Sequence, residues 1–316
     1  PEEALAKMRA GYDVVSGPFD GDGLKAALAD AHILIVRLGH QIDQATLDGA
    51  PLLHTIASAT TGLNHIDLDG CRERHVSVIS LRGERAFLET ITGTAELALS
   101  LLLLLSRPVI KAQEDVLLGG WDRDAFKGNQ VFGGMLGIIG LGRLGTRFAQ
   151  YGNALGMEVL ASDTATVPVP PGVSLVEQDE LLSQANAIVI FASHDPGAPP
   201  VLGAEEIRAM RPGALLVNSA RGELVDEGAV CAALRSGGLG GYAADVLSGE
   251  TTLDDVGQHP LVCLVRDGAN VVVTPHIGGA TKHAMPRAET FIVDKMLAHA
   301  FGNNSNGKPK NKADNV

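Results

Sequence analysis

Three short segments carry side chains suited to chemistry, and each follows an apolar run. Asn218-Ser219-Ala220-Arg221-Gly222 comes after Ala214–Val217, Asp245-Val246-Leu247-Ser248-Gly249-Glu250 after Gly241–Ala244, and Thr274-Pro275-His276-Ile277-Gly278-Gly279 after Val271–Val273. If the runs are parallel strands, all three segments fall at strand C-termini, where open α/β sheets hold their ligands. From them we single out a guanidinium, a carboxylate and an imidazole: Arg221, Glu250 and His276. An imidazole can take a hydroxyl proton and give it back near neutral pH, and a carboxylate beside it orients the ring and favours its charged form. Arginine can grip a carboxylate with two parallel hydrogen bonds. Together the three suit hydride transfer at a hydroxyl-bearing carbon next to a carboxylate.

Such a reaction needs a hydride carrier, and one motif points to it. Gly140-Leu141-Gly142-Arg143-Leu144-Gly145 directly follows the apolar run Met135–Ile139 and opens a helix through Arg147-Phe148-Ala149. In that strand–turn–helix setting Gly140 permits the tight turn, Gly142 lets backbone approach a pyrophosphate, and Gly145 lets helix and strand pack closely. The N–H groups at the helix start, at Arg143 and Leu144, then face the phosphates. Asp163 stands at the end of the next strand, roughly 20 residues on, placed to accept from a ribose hydroxyl. It is followed by Thr164-Ala165, with no cation for a 2′-phosphate, so the expected cofactor is NAD rather than NADP.

The elements that must position these residues alternate along the chain, the pattern of α/β layers around parallel sheets. In the first third, strands are expected near Tyr12–Val15, His32–Val36, Leu52–Ala57 and Val76–Ile79, with helices near Gly23–Ala29, Gln44–Leu47 and Ile66–Arg74. A leucine-rich helix should open with Thr94 as its N-cap and end at Arg107-Pro108; being apolar nearly all round, it belongs between layers or subunits. After a loop over Trp121–Gly134, strands are expected at Met135–Ile139, Met157–Ala161, Ala187–Phe191, Ala214–Val217, Gly241–Ala244 and Val271–Val273. The proline-rich stretches Val167–Gly172 and His194–Pro200 read as loops. A last helix, with Pro286 in its first turn, should reach about Phe301, and the Asn- and Lys-rich stretch Gly302–Val316 should be a mobile tail.

Composition sets outer limits. The chain has 316 residues, 45% of them hydrophobic and 20% charged, enough for two domains with sizeable cores. A net charge of −12 argues against broad nucleic-acid binding, which needs a cationic face. Cys71, Cys231 and Cys263 are odd in number and far apart, so they read as reduced thiols in a cytoplasmic protein with no metal site. The longest apolar run, Leu97–Leu105, is short for a bilayer, and Pro1-Glu2-Glu3 does not resemble a secretion signal, so no membrane association is expected.

In combination, GLGRLG, NSARGELVD (Asn218–Asp226), DVLSGE (Asp245–Glu250) and TPHIGGAT (Thr274–Thr281) resemble the D-isomer-specific 2-hydroxyacid dehydrogenase family, and the likeness runs over nearly the whole chain. The resemblance implies a Rossmann-type dinucleotide-binding domain (92–280) inserted in a discontinuous flavodoxin-like substrate domain (1–91 plus 281–316). It implies that Arg221 binds and polarises a 2-oxo acid, that His276 is the acid/base, and that Glu250 is its partner. Asp245 would meet the nicotinamide carboxamide, His194 and Pro196 would form a loop near the adenosine, and Ser219, Ala220, Gly278 and Gly279 would complete the cofactor contacts. In the substrate domain Arg37, with the turn at Thr61-Gly62, would face a small anionic acid. Where phosphoglycerate dehydrogenases often carry a further arginine this chain has Ser58; Arg82 or Arg85 could supply a second anionic contact instead. Thr251 stands where proline commonly follows the catalytic glutamate. Family members are usually homodimers, for which the leucine-rich helix is a suitable surface, and no regulatory domain is expected after the last helix.

A binding protein of the NAD(H)-responsive corepressor type resembles the same family and keeps the same three residues. Stable partners without turnover would distinguish it. Formate dehydrogenase pairs its histidine with glutamine, whereas Glu250 stands here.

Overall fold

The structure is a computed structural model and describes residues 1–19, 21–195 and 197–302. The expected mobile tail lies outside these, apart from Gly302, and so does Pro196. The chain divides into two compact units: Pro1–Thr90 with the C-terminal segment from Thr281, and Ile91–Ala280.

The first unit contains α1 (Glu2–Arg9), α2 (Gly21–Leu28), β1 (Ile33–Val36), α3 (Gln44–Asp48), β2 (Thr55–Ser58), α4 (Leu68–Glu73), β3 (Ser77–Ser80) and α5 (Arg85–Leu88). Its three strands are parallel and lie in chain order, with Val36 beside Ser58 and Ser58 beside Ser80. The strand expected at Tyr12–Val15 does not form. The backbone N–H groups of Gly11 and Tyr12 both donate to Met8 O, closing off α1, and Val15 points to solvent, so this segment finds no ladder to join.

The second unit opens with α6 (Gly93–Ser106) and α7 (Val109–Leu117) and continues through β4 (Met135–Ile139), α8 (Arg143–Ala154), β5 (Glu158–Ser162), β6 (Val173–Leu175), α9 (Gln178–Gln184), β7 (Ala187–Ile190), α10 (Ala204–Ala209), β8 (Ala214–Asn218), α11 (Glu227–Ser236), β9 (Leu239–Ala244), α12 (Pro260–Arg266) and β10 (Val271–Val273). All seven strands are parallel, in the order β10-β9-β8-β7-β4-β5-β6. The order reverses between β4 and β7, which makes the crevice beyond their carboxyl ends the topological switch point. Strand β6 departs from the sequence expectation; it follows directly on the proline-rich loop and, among the described residues, pairs with β5 alone.

The inner strands are apolar on both faces because helices cover both faces. On one face Leu136, Ile138, Val189 and Val217 meet Phe148 and Ala149 of α8 and Ala98, Leu101, Leu102 and Leu105 of α6. On the other, Ile188, Ile190, Leu216 and Tyr242 meet Leu181, Ile207, Val230 and Leu261 of α9 to α12.

Helix α6 starts earlier than the sequence suggests. Its N-cap is Thr92, whose hydroxyl donates to Glu96, while Thr94 lies inside the first turn and faces Gly278. Arg85–Ser106 is long and apolar enough by composition to cross a membrane, but it is broken between α5 and α6. The 14 residues of α6 rise only about 21 Å and bury Leu101, Leu102 and Leu105 in the unit's own core. Finally α13 (Ala284–Gly302) returns to the first unit, where Ala288, Ile292 and Met296 cover Ala57 and Ile79.

Candidate active site

The glycine turn at the switch point is shaped by the protein's own packing at two positions and left open at the third. Gly140 has φ +94°, and a Cβ there would collide with the Phe191–Ala192 backbone; a Cβ on Gly145 would run into Gly140 O. Gly142, with φ −72°, has nothing within 4 Å of where a Cβ would be, so the space before the start of α8 is open to an approaching group. Arg143 Nη1 donates to Ile91 O at 2.5 Å, which ties α8 to the chain leading into α6, and Leu144 is half-buried against the core. Asp163 follows β5 and reaches back to the turn: Oδ2 accepts from Leu141 N at 2.7 Å and Oδ1 from Ala165 N at 2.8 Å.

Further along the same carboxyl edge, two buried polar atoms lack partners among the described residues, His194 Nδ1 beyond β7 and Ser219 Oγ beyond β8. Unpaired buried polar groups are costly, so their presence beside an open glycine turn fits a site completed by a polar ligand. These residues would suit a dinucleotide, with phosphate at Arg143 and Leu144 N–H, ribose at Asp163, and the orphaned groups along the remaining edge.

At the end of β8, Asn218 ties down the loop that follows. Its Oδ1 accepts from Ala220 N at 3.1 Å and its Nδ2 donates to Arg221 O at 2.8 Å. Arg221 is half-buried and donates one Nη1–H to Ala220 O at 2.6 Å, which leaves the rest of its five donors for a ligand. Gly222 presses its backbone directly onto the Leu247–Ser248 peptide, so close that a Cβ would overlap it. Leu247 N in turn donates to Glu250 Oε2 at 3.2 Å, and Glu250 Oε1 bonds His276 Nδ1. One continuous set of contacts thus joins the loops of Arg221, Glu250 and His276 across β8, β9 and β10.

His276 sits in the left-handed region with φ +52°, a conformation that favours glycine and costs a side-chain-bearing residue about 1 kcal/mol or more. Asp245 maintains it. Asp245 is 1% exposed; its Oδ1 accepts from Thr274 Oγ1 at 2.6 Å and Ile277 N at 2.8 Å, its Oδ2 from Gly278 N at 2.7 Å, and its backbone O from His276 N at 2.8 Å. Its carboxylate is therefore engaged with the histidine loop. Gly278 is buried against Thr94, and Gly279 is exposed with open space around it.

The residues expected to face substrate in the first unit follow the carboxyl ends of adjacent strands. Arg37, after β1, is exposed and ion-paired with Glu289 of α13. The Thr61-Gly62 turn after β2 is braced by Thr60, whose hydroxyl donates to Gly62 O at 2.7 Å and bonds Ser58 Oγ at 2.9 Å. Arg82, after β3, is exposed, and its N–H donates to Ser80 Oγ at 3.2 Å. Ser58 is fully buried and also bonds His65 Nε2 at 3.3 Å, so this position belongs to the unit's interior.

Sequence reasoning missed two neighbours of the Glu250 turn. Glu227 Oε1 accepts from Ser248 N at 3.1 Å, and its Oε2 lies 3.2 Å from His259 Nε2. Burial pushes the Glu227 carboxyl up to about 7, with the charges of Glu223 and Glu250 adding to the effect, and pushes His259 down. A glutamate opening a helix and a histidine before a proline are ordinary capping signals, and nothing in their spacing joins them.

The sheet order, the glycine turn and the loops beyond it define a dinucleotide-binding α/β domain. Residues 99–278 match the model of the NAD binding domain of the D-isomer specific 2-hydroxyacid dehydrogenases, and the chain belongs to that family. It is 35% identical over 285 residues to the D-3-phosphoglycerate dehydrogenase of Mycobacterium tuberculosis (strain ATCC 25618 / H37Rv), covering 89% of this chain and 51% of that protein. The chain thus spans about half the length of that relative. It is 31% identical over 304 residues to the D-3-phosphoglycerate dehydrogenase of Escherichia coli (strain K12), covering 95% of this chain and 72% of that one. The crystal structure of the TT0316 protein from Thermus thermophilus superimposes with a TM-score of 0.82 at 31% identity, covering 98% of this chain and 96% of that one.

Proposed function

We propose that the chain is an NAD-dependent oxidoreductase that interconverts a D-2-hydroxy acid and a 2-oxo acid. The observation that carries this reading is the His276–Glu250 pair, held at the carboxyl edge of a family NAD-binding domain by a loop that Asp245 locks in a strained conformation. NAD bound at the switch point would accept the hydride from the hydroxyl-bearing carbon, or return it as NADH. Because Glu250 occupies Nδ1 of His276, Nε2 is the atom left to take the hydroxyl proton in oxidation and to supply it in reduction. Glu250 fixes the ring's orientation and offsets its positive charge once it is protonated. Arg221 lies on the next loop but one, and its remaining donors suit the substrate carboxylate. Asp163 stands where a 2′-phosphate would bring a second negative charge, which favours NAD over NADP.

For the substrate side we assign Arg37, the Thr61-Gly62 turn and Arg82 as contacts to a small anionic acid. We place a homodimer interface on α6, where Leu103 is 38% exposed, and on the apolar surface that follows it. There Val109, Ile110, Leu117, Leu118, Trp121 and Phe132 are each 46–89% exposed. An exposed apolar patch of this kind on a soluble fold marks an interaction surface.

The deciding experiment is a panel of 2-oxo acids, with and without a second anionic group, monitored by NADH absorbance. Turnover of at least one is expected; no turnover of any, with NADH bound, would favour a corepressor-like binding protein.

A further inference from the structure

Three consecutive backbone N–H groups in the turn before Glu250 are each taken by a different glutamate. Leu247 N donates to Glu250 at 3.2 Å, Ser248 N to Glu227 at 3.1 Å and Gly249 N to Glu223 at 3.3 Å. The middle one differs from its neighbours. Its acceptor, Glu227, also meets a second buried group: the Glu227 side chain is 13% exposed and that of its partner His259 is 9% exposed.

Glu227 opens α11, but it is not the helix cap; Asp226 already accepts from Ala229 N at 2.9 Å. It turns inward at the cost of desolvating a carboxylate, which demands partners. His259 is built to be one. Its Nδ1 accepts from Leu261 N at 3.3 Å as the cap of α12, so the proton of the neutral ring belongs on Nε2, aimed at Glu227. Both partners of the carboxylate are therefore donors, and both suit only its ionised form. Adding a proton would set an O–H against either Ser248 N–H or His259 Nε2–H.

We propose that Glu227, oriented by His259, is a positioning residue for the Glu250–His276 pair: its ionised carboxylate holds the Ser248 amide and so fixes the turn that delivers Glu250 to the imidazole. This rests on the function proposed above. Gly222 packs against the same Leu247–Ser248 peptide, so the Glu227 bond and the Gly222 contact act on one peptide unit of the turn. The groups that face Glu227 are Glu223 and Glu250 along the turn, His259 from α12, Cys231 one helical turn along α11, and Tyr242 from β9. With burial pushing the carboxyl up to about 7, the clamp is lost on modest acidification.

The test measures kcat and KM for 2-oxo acid reduction from about pH 5.5 to about pH 9 in the full chain, as wild type, Glu227→Gln and His259→Asn. In the wild type kcat should fall on the acid side with a midpoint near 7. In Glu227→Gln that limb should vanish, with kcat lower by about tenfold or more at high pH and KM within about twofold, as for a misplaced catalytic group. His259→Asn keeps a good helix cap but withdraws the donor, and kcat should fall in the same sense. It serves as the test if the glutamine variant does not fold. Wild-type kcat and an unchanged acid limb in these variants would overturn the proposal.

A wild type with no turnover would count against the proposed function instead. The positioning claim is then decided by the amide resonance of Ser248 in serine-labelled protein. It should titrate with a midpoint near 7 in the wild type and not in Glu227→Gln. A Ser248 amide that does not titrate refutes the clamp.

Discussion

The carboxylate of Asp245 holds the backbone N–H of Gly278 at 2.7 Å, and through that bond the end of β9 governs the loop that carries His276. Its other oxygen accepts from Thr274 Oγ1 and Ile277 N, so the carboxylate meets donors only. Asp245→Asn would turn an amide NH2 toward at least one of them in a buried site. We expect a loss of about 2–4 kcal/mol in stability and a kcat reduced at least tenfold. Urea unfolding and steady-state kinetics check both; an unaltered kcat would show that the loop is held by other means.

Two glycines of one motif should respond in opposite ways. Gly145→Ala forces a Cβ into Gly140 O and should destabilise the fold by about 2 kcal/mol or more. Gly142→Ala meets open space and a permitted φ, so stability should stay within about 1 kcal/mol of wild type. The added methyl would nevertheless stand where the pyrophosphate approaches, and NADH affinity should weaken by about tenfold or more. Thermal melts with and without NADH, alongside fluorescence titration, separate the two. Wild-type affinity in Gly142→Ala would place the phosphates elsewhere.

Glu227 should leave a mark on stability as a function of pH. Its folded pKa, about 7, lies above the ordinary 4.5, so between these values the folded state binds more protons than the unfolded chain. Stability from this group is therefore lost as pH rises through that window, on the order of 3 kcal/mol in all. His259, pushed down by burial, acts in the opposite sense as pH falls below 6.5; because it touches Glu227, the comparison is repeated in a His259→Asn background, where the imidazole no longer titrates. The unfolding free energy of the wild type minus that of the variant should fall from pH 4.5 to pH 7 and then level off. A flat difference would mean that the carboxyl is not perturbed.

Trp121 and Leu118 are among the most exposed apolar side chains of the described residues, at 88% and 89%. If they lie in a subunit interface, Leu118→Glu should turn a dimer into monomers with little change in melting temperature at low concentration. Light scattering reads this directly; an unchanged mass would move the interface off this surface.

Much of the second unit was legible because its inner strands are continuous apolar runs and its glycine turn follows one of them directly. Periodicity could not reveal what depends on a partner far away in sequence. Tyr12–Val15 looks like a strand by composition but is drawn into closing α1, and β6 is only three residues long behind a proline-rich loop. Arg221, Glu250 and His276 stood out by residue type at strand ends. Glu227 and His259 did not, since at helix starts both types are unremarkable, and their pairing is a product of how α11 and α12 pack side by side.

His276 is the group proposed to move the proton. The most direct measurement is single-turnover reduction of a reactive 2-oxo acid by His276→Ala, with NADH affinity determined on the same sample. We predict NADH binding within about twofold of wild type and a chemical step slowed by about a thousandfold, within the range for loss of a general acid. A chemical step at the wild-type rate would contradict the account.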